Sequence, residues 1–191
     1  RVGKSELVSK NFPAWLFGRH PDWYVGIISY GDDLAWELSS ACRQIVDDEA
    51  YQQVFGRDRT DEATETIEID PNTKSVKHWK LRGYRGGMCA AGINGALTGK
   101  GYECVIFDDP TKGRKEADSA DYREEQWSQY GGTFFPRVEP GGGIIIMGTA
   151  WHEDDLLGRI QRDNHNRWDD PLADHWTVIH IPAIALPGMP D

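Results

Sequence analysis

The chain has 191 residues, with 31 Asp and Glu against 21 Lys and Arg, a net charge of −10 and a pI near 5.0. That length supports one α/β domain with a substantial core, and the acidic balance argues against a stand-alone duplex-DNA binder, which needs a basic face, while leaving room for a machine that grips DNA through a few loops. Cys42, Cys89 and Cys104 are odd in number and form no CxxC pair, which points to free thiols in a reducing compartment and away from a disulfide scaffold or zinc site.

The first residues, Arg1-Val2-Gly3-Lys4-Ser5, read as the second half of a phosphate-binding loop. Such a loop cradles phosphates with backbone N–H groups at a helix N-terminus, reaches the terminal phosphates with the lysine, and ligates Mg²⁺ with the hydroxyl. Gly3, Lys4 and Ser5 are therefore the nucleotide-binding candidates, and Ser5 is the first metal-ligand candidate. Arg1 in the loop adds a guanidinium suited to charge stabilisation at a γ-phosphate. The glycine-rich first half of the loop, and the strand that should feed it, are expected upstream. Residues 1–186 then form one nucleotide-hydrolysing unit truncated at its start, and 187–191 begin a linker.

Residues 6–17 carry Leu7, Val8, Ala14, Leu16 and Phe17 in a helical pattern, with a kink or early end expected at Pro13. Residues 24–30 form a buried-type strand. Asp32 or Asp33 is expected to cap the next helix, which runs to about residue 50 with Leu34, Leu38, Cys42 and Ile45 roughly on one face. Residues 64–81 alternate around Pro71-Asn72 as a hairpin excursion. Residues 83–101 are glycine-dense, which predicts turning strands and a functional loop. Within them, Lys100 sits in a glycine-flanked basic loop, placed to reach a neighbouring subunit's nucleotide or a DNA phosphate. Arg82 and Arg85 share that ambiguity.

Residues 102–107 form the second clear strand, and Asp108 and Asp109 follow it. A carboxylate there emerges at the carboxyl edge of a parallel sheet, where α/β proteins bind ligands. Asp108 is the candidate to hold Mg²⁺ through water, and Asp109 the candidate to orient or deprotonate the attacking water. An amphipathic helix over 116–130 is predicted to show Glu124 and Glu125 to solvent. After a turn at Pro140-Gly141-Gly142 comes a third strand, 143–147. The polar tip Gly148-Thr149-Ala150-Trp151-His152-Glu153 is placed to sense a γ-phosphate, with Thr149 bonding water or phosphate and His152 coupling the loop to its surroundings. Glu153, Asp154 and Asp155 equally suit caps of the helix predicted over 154–162. The order His-Glu-Asp-Asp-Leu is not HExxH, so a zinc protease is excluded. A last strand is predicted over 176–181, and strands alternating with helices give an α/β sandwich around a mainly parallel sheet.

The segments RVGKSELVSKNFPAWLFGRHPD, IISYGDDLA, GALTGKGYECVIFDDPTKGRKEADS and GTAWHEDDLLGRI, in that order, resemble the ATPase domain of tailed-bacteriophage terminase large subunits. The resemblance covers nearly the whole chain. It implies a P-loop NTPase fold of the additional-strand type, with helices on both faces of the sheet, ATP and Mg²⁺ as cofactors, and ATP hydrolysis driving double-stranded DNA into a procapsid. By the same resemblance Arg1, Gly3, Lys4 and Ser5 form the phosphate loop, Asp108 is the Mg²⁺ aspartate and Asp109 stands at the catalytic carboxylate, where many relatives have glutamate. Gly148, Thr149 and His152 fall in the motif that couples hydrolysis to motion, and Lys100 is the choice for a finger acting on the next subunit's nucleotide. The implied partners are double-stranded DNA, a portal protein, the small terminase subunit and sister copies in a ring on the portal. The implied place is the host cytoplasm, transiently on the procapsid. The family's nuclease domain is expected beyond residue 191. A helicase-like ATPase and a non-hydrolysing assembly module from a decayed prophage gene remain the rival readings.

Overall fold

The computed structural model describes residues 3–55, 67–95, 97, 100–171 and 173–180. Its centre is a six-stranded sheet in the order β2-β3-β4-β1-β5-β6. In chain order β1 is Tyr24–Ser29, β2 Ile69–Lys74, β3 His78–Leu81, β4 Gly87–Gly92, β5 Tyr102–Asp108 and β6 Val138–Met147. Strands β4, β1, β5 and β6 run parallel, while β3 pairs antiparallel with both β2 and β4. The expected α/β sandwich with a mainly parallel sheet is the fold observed.

Strand β1 is buried at every position, as expected for a parallel strand covered on both faces. Val25 and Ile27 point into one core, with Phe17, Cys42, Trp79 and Ile106. Tyr24 and Ile28 point into the other, with Tyr102, Phe107 and Phe134. The first core lies under helices α1 (Phe12–Arg19) and α2 (Asp32–Asp47). The Phe17 ring stands edge-on to Trp79 at 5.1 Å, a contact that adds about 0.5–1.5 kcal/mol beyond area burial. The indole N–H of Trp79 donates to Ser39 Oγ at 3.0 Å, so its polar edge is satisfied inside the core.

Several local expectations are corrected. The helix after the loop begins as a π-helical turn, Glu6–Asn11, and becomes α-helical from Phe12. Pro13 falls where the π-helical turn gives way to the α-helix, and the helix continues through it to Arg19. Helix α2 ends at Asp47, and a separate α3, Glu49–Phe55, follows. The N-cap of α2 is Gly31, and Asp32 Oδ1 accepts instead from the Gly92 N–H at 2.7 Å. Pro71 and Asn72 lie within β2 and not at the hairpin turn. The glycine-dense stretch holds β4, and the strand expected there is buried throughout as a core strand.

The predicted 116–130 helix is two helices, α4 (Arg114–Asp118) and α5 (Ala120–Gln129), separated at Ser119, whose hydroxyl accepts from the Tyr122 N–H. Glu124 and Glu125 are exposed, as read from the pattern. Helix α6 spans Leu156–Asn166. Residues 176–180 form no strand. Val178 and Ile179 are exposed, and Trp176 instead exchanges two hydrogen bonds with the Asn164 side chain, because no sheet edge among the described residues pairs with this segment. Residue 181 and residues 187–191 lie outside the described residues.

All three cysteines are buried, and none forms a disulfide among the described residues. Burial pushes the Cys104 thiol up to about 12 and raises Cys42 further, so neither is a nucleophile at neutral pH. Among the described residues no helix is long and apolar enough to cross a membrane.

Candidate active site

The parallel register brings the ends of three strands level. Ser29 pairs with Asp108, and Asp108 with Met147. Ser29 Oγ donates to the Asp108 carbonyl at 2.7 Å, the Tyr30 N–H to the Asp109 carbonyl at 3.2 Å, and the Asp109 N–H to the Met147 carbonyl at 2.9 Å. Asp108 and Asp109 are thus anchored at the carboxyl edge of the sheet.

The π-helical turn crosses this edge. Ser5 Oγ donates to Asp108 Oδ1 at 3.1 Å, and Ser9 Oγ donates to Oδ2 at 2.7 Å. Lys4 Nζ donates to the Gly148 carbonyl at 3.2 Å, just past the end of β6. Residues about a hundred positions apart in the chain therefore meet in one place. Gly3 has φ +74°, the left-handed conformation that lets the loop turn into the helix. Arg1 lies outside the described residues.

Asp108 is 2% exposed. Burial pushes its carboxyl group up, the Ser9 and Ser5 hydroxyls and Lys4 work against that, and Asp109 adds to it. A desolvated carboxylate beside a hydroxyl is a hard oxygen donor set that a divalent cation would stabilise. Mg²⁺ typically takes one or two carboxylates, waters and substrate phosphates, not an all-protein cage. The residues present fit that cation, with Ser5 and Asp108 as its protein ligands.

Asp109 has φ 45°. Aspartate tolerates this conformation better than most residues, yet it is uncommon and concentrates at functional sites. It turns the chain so that the carboxylate lines a cleft with Gly148, Thr149 and Asp155. Thr149 is exposed on that cleft. His152 does not reach it. Its Nδ1 accepts from the Asp154 N–H at 2.9 Å, and its own N–H donates to Asp155.

The segment after the cleft is held by two aspartates. Asp155 is buried and accepts from the backbone N–H groups of Trp151, His152 and Gly158. Asp154 accepts from Arg159, Arg162 and Arg123, which hold its carboxyl well below the usual carboxylate range. Arg123 belongs to α5, so this cluster ties the loop after β6 to both α5 and α6. The capping expectation for the acidic triplet is met by Asp155, the N-cap of α6 (Leu156–Asn166), whose carboxylate accepts from the Gly158 N–H.

Lys100 lies at the opposite end of the sheet. It precedes β5, whose seven residues at about 3.3 Å each carry the chain roughly 20 Å to Asp108. Its amine donates to the Tyr24 hydroxyl at 2.7 Å.

Ser9 is the site residue missed by sequence reasoning. It repeats the Ser5 hydroxyl four residues on, and i,i+4 residues share a helix face. Replacing Ser9 by Ala leaves the buried Asp108 Oδ2 without its donor, a loss of about 1.5–3 kcal/mol for a bond to a charged group. Urea denaturation should show that loss, with Ser9→Thr retaining most of the stability. An unchanged midpoint in Ser9→Ala would show that the bond contributes nothing.

These features define an α/β sandwich with a polar site at the carboxyl edge of its parallel strands, where a loop-to-helix lysine and serine face a strand-end carboxylate. The crystal structure of the HK97 bacteriophage large terminase has a similar fold, with a TM-score of 0.53 and 18% sequence identity over 88% of this chain and 31% of that one. Among curated proteins there is no significant match. Residues 1–185 match the family described as terminase large subunit, T4likevirus-type, N-terminal, and the chain belongs to that family.

Proposed function

We propose that this chain is the ATP-hydrolysing domain of a DNA-packaging motor, which couples hydrolysis to translocation of double-stranded DNA into a procapsid. The observation that carries the reading is the convergence of Lys4, Ser5 and Asp108 on one sheet edge. In this reading Lys4 binds the terminal phosphates, and Ser5 and Asp108 hold Mg²⁺. The bound cation supplies charge neutralisation for the phosphate oxygens. Asp109 orients the attacking water, and Thr149 bonds the water or the terminal phosphate. Catalysis of this kind is positioning plus electrostatic stabilisation. His152 acts through the cap it helps to build, carrying the state of the cleft into α6.

The protein works as a ring of sister copies on a portal, supplied with DNA by a small terminase subunit, in the host cytoplasm and transiently on the procapsid. The intact, assembled protein should release phosphate from ATP only with Mg²⁺, stop on chelation, and respond more strongly to duplex than to single-stranded DNA. No turnover in that assembly would overturn the reading. Strand separation driven by single-stranded DNA would replace it with a helicase.

A further inference from the structure

From Pro71 to Tyr102 the chain carries Lys74, Lys77, Lys80, Arg82, Arg85 and Lys100 and not one Asp or Glu, in a molecule of net charge −10. The fold gathers part of this set at the end of the sheet remote from the candidate active site. Lys80, Gly87 and Tyr24 lie in register across β3, β4 and β1. Gly87 has no side chain, and a Cβ there would come 2.2 Å from the Trp79 carbonyl. The phenol of Tyr24 crosses that gap and stacks nearly parallel on His78, with ring centroids 6.2 Å apart. Lys100 lies over the same phenol, 4.4 Å from its centroid, while donating to its hydroxyl.

Charge compensation here is uneven. Arg82 pairs with Glu68 and Arg85 with Glu103, whose carboxylate also takes the Tyr24 N–H. Lys80 and Lys100 pair with no carboxylate among the described residues. After burial, these two lysines are what lower the pKa of His78, so their positive fields overlap on one spot. Two ammonium groups gathered around a neutral phenol repel one another until an anion is placed between them.

We propose that this end of the sheet, centred on Lys80 and Lys100, the latter held by the buried Tyr24 phenol, and flanked by Arg82 and Arg85, is a docking surface for the phosphate backbone of double-stranded DNA. The inference rests on the DNA-translocating function proposed above and locates where the duplex is held. Charge complementarity selects the occupant: a duplex presents phosphates about every 1.7 Å along its axis, and lysines are phosphate-contacting groups that fix position without reading sequence. Grip at one end of β1 and β5 and phosphate chemistry at the other would put the strands themselves between hydrolysis and DNA.

The test titrates a labelled duplex with the intact protein across a range of salt concentrations. Lys80→Gln with Lys100→Gln should weaken binding roughly tenfold and lower the log–log salt slope by about 1.8, or 0.9 per lost phosphate contact. Lys115→Gln, an exposed lysine on α4, should leave affinity and slope at the parent values. Thermal unfolding of the double variant separates lost contacts from lost fold, and charge-keeping Lys80→Arg with Lys100→Arg should hold the parent slope. A parent slope in the double glutamine variant would overturn the surface. So would loss of DNA-free ATP turnover in assembled Lys100→Gln, which would assign Lys100 to a neighbouring copy's nucleotide. ATP turnover by the parent reports on the motor separately: a protein without it that still loses two contacts would refute the motor and keep the surface.

Discussion

Lys4→Ala should lower ATP turnover by the intact, assembled protein about 100- to 1,000-fold, the range for removing one preorganised charge-stabilising donor. That corresponds to roughly 3–4 kcal/mol of transition-state stabilisation. The lysine amine already reaches the end of β6, donating to the Gly148 carbonyl. Delivery to a terminal phosphate therefore needs only an exchange of acceptor and no rearrangement of the fold. Lys4 is also only partly buried, so alanine opens no core cavity and the loss should appear in kcat with little change in melting temperature. Phosphate release under saturating Mg²⁺ and ATP is the measurement. Parent-like turnover in Lys4→Ala would remove the phosphate-loop assignment, and the catalytic roles of Asp108 and Asp109 would go with it.

Asp155→Ala should be the most destabilising change outside the hydrophobic cores. Its carboxylate satisfies the backbone N–H groups of Trp151, His152 and Gly158 from a position only 2% exposed. Loss of an N-cap costs about 1 kcal/mol, and each further buried donor left unpaired costs about 1–3 kcal/mol. Together these give roughly 3–7 kcal/mol, measurable by urea denaturation. The same residue lines the cleft with Asp109 and Thr149, so turnover should fall too, because the loop opposite Asp109 loses its shape. Asp155→Asn should recover part of the stability, since the amide oxygen still accepts while the amide nitrogen faces a donor. A fully stable alanine variant would show that the loop is held by other means, the Asp154 cluster with Arg123, Arg159 and Arg162 being the remaining candidate.

The readable parts of this chain were those with local physical signatures. Continuous β-branched and aromatic runs gave β1 and β5 almost to the residue, because a strand buried on both faces cannot afford polar positions. Strand β4, Gly-Met-Cys-Ala-Ala-Gly, carries no such run. Its small residues look like a loop in isolation, and they form a core strand because β1 and β3 approach it closely from either side. The turn of the β2–β3 hairpin lies elsewhere for a related reason: Pro71 and Asn72 carry turn propensity and take up an irregularity inside β2, between the residues Ile69 and Lys74 that pair with β3. Residues 176–180 erred in the opposite sense, having strand propensity without a partner.

The sequence by itself determined the sheet class, the order of its main elements and the residue types of the site: a lysine and hydroxyl at a helix start, and a carboxylate pair at a strand end. These are fixed by periodicity and side-chain chemistry, which act over a few residues. Only the tertiary structure decided that Ser9 shares Asp108 with Ser5, that His152 builds a cap and stays out of the cleft, and that Lys100 stands at the far end of the sheet beside Lys80 and Tyr24. Those placements depend on strand register and on which chain segments cross the same edge. Contacts between residues so far apart in the chain arise from packing the whole domain, and no local pattern encodes them.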